Sequence, residues 1–275
     1  MGQDIPPTAH ARLIGTRLRR YRKRGGYTAA HVAAETGISA GTISRLESGQ
    51  RQTTAVLLAH LLGYYGATGF ERDRLIRHHH AAHQRTWLAH DEEGFHEHDV
   101  VMADCEKRAC EITTYDPVAV PPLLRTPEYS AALTEQPRPE PDMRPRMISI
   151  DQQEIPLTVL VTEQALRRRT MDNGVLHGQL LQLVACARAR HVDLRVIPLH
   201  HDGRPYEQFT VLTFPDVPGT VHIGNHNTSL IIDEPSVVEG YRVQGETLAG
   251  VAYDKVRSLD LVNSLATELL IAEAT

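Results

Sequence analysis

The sequence predicts an all-α N-terminal domain followed by an α+β domain with a small mixed or antiparallel sheet. Three observations carry that division. The first ninety residues set apolar side chains at helical spacing and interrupt them with glycines. From about residue 157 onward, short β-branched and apolar runs alternate with helical patterns. The charge is also split: through His90 there are 13 Lys and Arg against 5 Asp and Glu, a balance of +8, while the whole chain balances at −5 and the remainder at −13. A basic head on an acidic body is expected when one domain meets a polyphosphate and the other does not.

Taken in order, Arg12 to Arg24 reads as a helix with Leu13, Ile14 and Leu18 on one face and Gly25-Gly26 as its stop. Thr28 is a good N-cap for a second helix, Ala29 to Thr36, with Val32 and Ala33 inward. Gly37 supplies the left-handed residue of a sharp turn. Ser39 caps a third helix that carries Ile43 and Leu46 inward and ends at Gly49. A fourth helix covers Thr54 to Tyr64, and a fifth is expected from Glu71 to about Leu88. The acidic stretch Asp91 to Asp99 reads as a linker. The expected organisation is therefore a domain over 1–90, a linker and leading helix over 91–110, and the α+β domain over 111–275. Within the last, Glu128–Leu133, Leu176–His191, Ser236–Ser258 and Asp260–Ala272 read as helices. Leu157–Val161, Leu194–Pro198, Phe209–Phe214, Val221–Ile223 and Leu230–Ile232 read as strands, the last three joined by short links that favour antiparallel pairing.

The segment from Thr28 to Gly49 is the most specific signal. Two short helices around Gly37 pack through Val32, Ala33, Ile38 and Ile43, and Ala33 is small because the helices cross closely there. That is a helix-turn-helix, whose second helix enters a DNA major groove. Its outward face would be Ser39, Gly41, Thr42, Ser44 and Arg45, with Gln50 and Arg51 just beyond. Thr28 and the helix N-termini can bind phosphate through backbone N–H groups.

The segment resembles the helix-turn-helix domains of the lambda-repressor-like, xenobiotic-response-element class. The ending Ile-Ser-Arg-Leu-Glu-x-Gly common in that class stands here as Ile43-Ser44-Arg45-Leu46-Glu47-Ser48-Gly49. Further along, Thr114-Tyr115-Asp116-Pro117, then Val120-Pro121-Pro122-Leu123-Leu124-Arg125-Thr126 with Tyr129, are similar to the effector-like domain of actinobacterial antitoxin-like transcriptional regulators. Gln179-Leu180 with Leu183, Val196-Ile197-Pro198 and Phe209-Thr210-Val211-Leu212-Thr213-Phe214-Pro215-Asp216 continue that similarity in order. The resemblance implies a transcriptional regulator, and in such proteins a small protein encoded nearby is a frequent partner. It also places an acidic residue at Glu106. The family usually has Gln where Ala29 and Ala40 stand, a polar residue at Gly41, Pro-Gly and Gln at Pro121-Pro122 and Arg125, and Tyr-x-Glu at His222-Ile223-Gly224. Base readout is then expected to rest on Thr42, Ser44, Arg45, Gln50 and Arg51.

Sixteen histidines are many for this length. His79 and His83 stand four apart on the expected fifth helix, a metal-holding spacing, but no HExxH accompanies them. His200-His201-Asp202 follows a strand and His222 and His226 flank Gly224-Asn225. Together with Glu106 and Arg125 they are the candidate ligand or partner residues of the second domain. The alternative function is an enzyme with those histidines at its site and a vestigial helix-turn-helix; no GxSxG, P-loop or GxGxxG supports it. No metal, cofactor or catalytic residue is assigned. Three cysteines without a CxxC pair fit a reducing cytoplasm. No run of eighteen apolar residues occurs, so no membrane span is expected, and the Arg-rich start argues against secretion. The expected partners are double-stranded DNA, a second copy in a homodimer, and a small-molecule effector or companion protein.

Overall fold

The computed structural model describes residues 7–133, 144–168, 172–200, 206–215, 217–224 and 228–273. The first elements are α1 (Ala9–Arg24), α2 (Ala29–Thr36), α3 (Ala40–Glu47), α4 (Ala55–Tyr64), α5 (Gly69–His80), β1 (Thr86–Ala89) and α6 (Glu92–Glu106). Next come β2 (Glu111–Asp116), α7 (Pro127–Leu133), α8 (Arg144–Gln152), β3 (Leu157–Thr162), α9 (Glu163–Leu166) and α10 (Asn173–Ala187). The chain closes with β4 (Val192–Ile197), β5 (Phe209–Thr213), β6 (Thr220–Gly224), β7 (Ser229–Ile232), α11 (Pro235–Val251) and α12 (Lys255–Glu273). It divides into two compact units. One takes 1–105, 216–220 and 225–235; the other takes 106–215, 221–224 and 236–275.

In the first unit, α1 to α5 close over a core of Ile14, Leu18, Val32, Ile43, Leu46, Leu58, Leu61, Leu62 and Leu75. Each helix starts on a threonine or serine: Thr8, Thr28, Ser39, Thr54 and Thr68 each accept a hydrogen bond from a backbone N–H of the first turn. Gly37 ends α2 at φ +71° and turns the chain into α3. Gly15 is where α1 crosses α3: a Cβ there would lie 2.5 Å from the Leu46 carbonyl oxygen, so only glycine lets the backbones approach this closely. The same unit holds β1, paired antiparallel with β7 through Trp87↔Ile231, and α6, which buries Phe95, Val101, Met102 and Cys105.

Three expectations change here. The fifth helix stops at His80, and 86–89 is a strand, because Trp87 and Ala89 are drawn inward by pairing with β7. His83 therefore lies beyond the helix and does not share a face with His79. The acidic stretch 91–99 begins α6, with Asp91 Oδ1 accepting from Gly94 N at 2.7 Å, so an acidic composition hid a capped helix.

The second unit is α+β. Its strands run in the order β6-β5-β2-β3-β4, with β2, β3 and β4 parallel and β5 antiparallel to β2. The sheet is thus mixed, as expected, and larger than the small one anticipated. Parallel neighbours need crossovers, which α7 and α8 supply between β2 and β3, and α9 and α10 between β3 and β4. β3, an interior strand flanked by β2 and β4, buries Leu157, Val159, Leu160 and Val161, the nearly unbroken apolar run of a strand covered on both faces. β2 escaped notice in the sequence because its Thr113 and Thr114 are polar; Thr114 meets Thr210 of β5 hydroxyl to hydroxyl at 3.0 Å. The outer edge of β4 is closed without another strand: Val196 N donates to Ser258 Oγ at 2.9 Å, and Tyr253 N donates to Val196 O at 2.9 Å. The helix expected to run unbroken from Ser236 to Ser258 is interrupted at 252–254, and Asp254 caps α12 by accepting from Arg257 N at 2.8 Å.

Candidate nucleic-acid interface

α3 is amphipathic at its own scale. Ile43 and Leu46 enter the core, and Gly41, Ser44 and Arg45 face solvent. Ser39, its exposed cap, accepts from Thr42 N at 3.1 Å and donates to Thr42 Oγ1 at 3.0 Å. Gly49, at φ +73°, turns the chain back along the helix, so that Arg51 N donates to Arg45 O at 3.2 Å. Arg51 Nη1 then reaches Thr42 Oγ1 at 3.1 Å, while Ser48 Oγ donates to the Gln50 side chain at 3.1 Å. One exposed ridge therefore carries Gly41, Ser44, Arg45, Gln50 and Arg51, with half-buried Thr42 beneath the Arg51 guanidinium. Thr28 is exposed at the start of α2 and caps it, accepting from His31 N at 3.0 Å. Seven of the eight predicted DNA-facing residues are exposed, and all eight lie on α3, its returning loop or the α2 cap.

The ridge is held by a pair that sequence reasoning passed over. Arg22 Nε and Nη2 donate to the two Glu47 oxygens at 2.6 and 2.7 Å, and Arg22 Nη1 donates to Tyr27 O at 2.9 Å. The bidentate hydrogen bond to Glu47 holds the guanidinium more firmly protonated than usual, against the opposing effect of burial. This fork ties α1 to the end of α3 and to the residue before the α2 cap. A signal was available: Glu47 stands in the last turn of α3, where the helix dipole disfavours an acid, so a buried Glu there requires a cation.

The candidate residues of the second unit do different work. Arg125 is buried. Its Nη2 meets Asp116 Oδ2 at 3.1 Å, and its Nε donates to Val120 O at 2.6 Å. Asp116 also accepts from Val118 N and Ala119 N at 2.9 Å; burial nonetheless pushes its carboxyl above the ordinary value, with these N–H groups and Arg125 pulling the other way. Tyr129 OH accepts from Val120 N at 3.2 Å. Fully buried Gln179 accepts from Thr126 N at 2.7 Å and donates to Leu124 O at 2.9 Å. Asp116, Val120, Arg125, Thr126, Tyr129 and Gln179, which carry part of the resemblance in this half, are thus the internal frame of the loop between β2 and α7. Glu106 is buried at the end of α6. His200 is exposed three residues past β4, and His222 is half-buried on β6. Three strands stand between β4 and β6, so at about 4.8 Å per strand their carriers are about 19 Å apart, and the sheet does not bring these two histidines together. His201 and His226 lie outside the described residues. Among the described residues no group of three His, Cys, Asp or Glu is arranged to hold a metal ion, and no helix is long and apolar enough to cross a membrane.

Comparison with known proteins gives two family matches. A helix-turn-helix domain matches residues 13–75, which contain the ridge and its clamp. A domain of unknown function, DUF5753, matches residues 100–264, more than half of the chain. No curated protein matches. Among solved structures, Nuc, a phospholipase D family member from Salmonella typhimurium, aligns at 12% identity over 62% of this chain and 96% of its own, with a TM-score of 0.38. TrmBL2, an archaeal chromatin protein, aligns at 12% identity over 86% of this chain and 92% of its own, also at 0.38.

Proposed function

Starting from a chain that belongs to the DUF5753 family and carries a helix-turn-helix domain, we propose that it is a sequence-specific transcriptional regulator of the lambda-repressor-like kind. Two copies place α3 in successive major grooves of a palindromic site, with half-sites about 34 Å apart. Arg45 and Arg51 supply the guanidinium groups for guanine edges or phosphate, and Ser44, Thr42 and Gln50 supply shorter polar contacts. Thr28 and the α2 N-terminus hold a phosphate. The observation that carries this reading is the exposed ridge of α3 and its returning loop, made rigid from behind by the Arg22–Glu47 fork. The acidic second domain senses a small ligand or companion protein and alters DNA affinity through its differential affinity for the two states. The protein acts in the cytoplasm. Selection of bound sequences from random duplex DNA with the full chain tests the reading. Enrichment of a two-fold symmetric site supports it, and recovery of no preferred sequence refutes it.

A further inference from the structure

The first unit contains a buried ionisable cluster that DNA reading does not use. His10, on the first turn of α1, is 4% exposed, and its Nδ1 lies 3.0 Å from Nδ1 of His78 on α5. The indole of Trp87 on β1 stacks on His10 at 4.5 Å and lies 5.0 Å from His78. His78 Nε2 in turn lies 3.0 Å from Glu97 Oε1 on α6. A bond between two imidazole Nδ1 atoms contains one proton, one ring donating and the other accepting. Glu97 decides which: with a proton on His78 Nε2 facing the carboxylate, neutral His78 accepts at Nδ1 and His10 donates. His10 Nε2 is then a bare nitrogen, and it is buried with no hydrogen-bond partner among the described residues. A second proton has no good place. On His78 it faces the His10 N–H, or forces His10 to carry its proton on Nε2, where nothing described accepts it.

We propose that His10 and His78 form an acid-triggered latch that holds α1 and α5 against β1 and α6, closed with one proton between the rings and opened by a second. The cluster meets solvent on one side, where a cavity of about 180 Å³ is lined by His78, Trp87, Arg74, Arg77, Glu93 and Glu97 among others. The charged and titratable neighbours are Arg12 and Arg17 on α1, Arg74 on α5, His83 after it, Arg85 before β1, Glu93, Glu97 and His98 on α6, and Asp233 after β7. Glu97 gives an added proton little help, because Arg74 already donates to it through Nε. Burial first, and His78 second, hold His10 down at about 4 from 6.5, with Glu97 pulling upward and His83 adding to the depression. Because the folded value is depressed, the contribution of the latch to stability is whole above about pH 6.5 and is lost as pH falls toward 4.

Trp87 is the only tryptophan and its indole stacks on His10, so a change in its emission follows separation of the two rings. The full chain is titrated from pH 8 to pH 4, following Trp87 emission and the exchange protection of amides 9–13. Emission should change reversibly, and protection should fall about tenfold per pH unit between 6.5 and 4. His10→Phe keeps a ring on Trp87 but cannot take a proton, so it should abolish the steep fall. His98→Gln should retain it, although His98 also meets Trp87, edge-on at 4.3 Å. Should His10→Phe fail to fold, the imidazole resonances of the unaltered chain decide. A His10 that stays neutral well below pH 6.5 supports the latch, and one that titrates at the ordinary histidine value overturns it. It is equally overturned by a flat wild-type response, by an unchanged slope in His10→Phe, or by loss of the response in His98→Gln.

Discussion

Arg45 and Arg125 show how differently one residue type is used in the two units. Arg45 is exposed on α3, where its guanidinium is available to a base edge. Arg45→Ala should cost about 1–3 kcal/mol of DNA binding and relax preference at one position per half-site, read by titrating the selected site and its single-base variants. Unchanged affinity and preference would mean that α3 stays out of the groove. Arg125, buried against Asp116, holds a loop. Removing one partner of a buried pair leaves a desolvated charge behind, so Arg125→Ala should lose roughly 3–5 kcal/mol of stability in a urea melt. If Arg125 instead served mainly as a ligand contact, the substitution would leave the melt in place. Of the candidate residues in the second domain, the sequence marked Arg125 as special but not why. Its partners Asp116 and Val120 are nine and five positions away, in a loop whose closure depends on Gln179 from α10.

At the scale of the element, two glycines in the helix-turn-helix make opposite predictions. A Cβ on Gly15 would meet the backbone of Leu46 and Glu47, whereas one on Gly41 would meet nothing within 4 Å. Gly15→Ala should therefore destabilise the chain by about 1–3 kcal/mol through overpacking. Gly41→Ala should stabilise it by about 1 kcal/mol through helix propensity. Thermal melts of both variants decide, and a neutral Gly15→Ala would mean that α1 and α3 do not cross there. Local signals made this region legible. Gly37 and the caps Thr28 and Ser39 act within a few residues of themselves, and α2, α3 and α4 fall where those signals put them. β1 was not legible, because four residues become a strand only by pairing with β7, more than 140 positions later. β2 failed for a related reason: its threonines are matched by a hydroxyl across the sheet, and no local alternation announces that. Strands β3 to β7 were found because each is apolar enough to announce itself.

At the scale of the molecule, the basic head does not end where the charge changes sign. The compact unit that contains the helix-turn-helix also takes α6 and the segment 225–235. Asp233 from that segment accepts from Ala9 N at 2.6 Å and from Thr220 Oγ1 at 2.7 Å, anchoring the start of α1; burial keeps its carboxyl above the ordinary value despite these donors. A chain cut after His90 would strip β7 from β1 and this carboxylate from α1, so the intact protein is the proper reagent for electrostatics. If about five phosphates are neutralised per subunit, the logarithm of the association constant should fall against the logarithm of salt concentration with a slope near −4.5. Eight cations available to set this slope are exposed on the first unit: Arg19, Arg20, Lys23, Arg24, Arg45, Arg51, Arg72 and Arg77. Arg51→Ala on the ridge should reduce the slope by about one if Arg51 meets a phosphate. If it reads a base, the slope should hold while sequence preference relaxes. A slope near zero for the unaltered chain would remove the polyphosphate partner, since a face with these exposed cations cannot meet DNA without displacing its counterions.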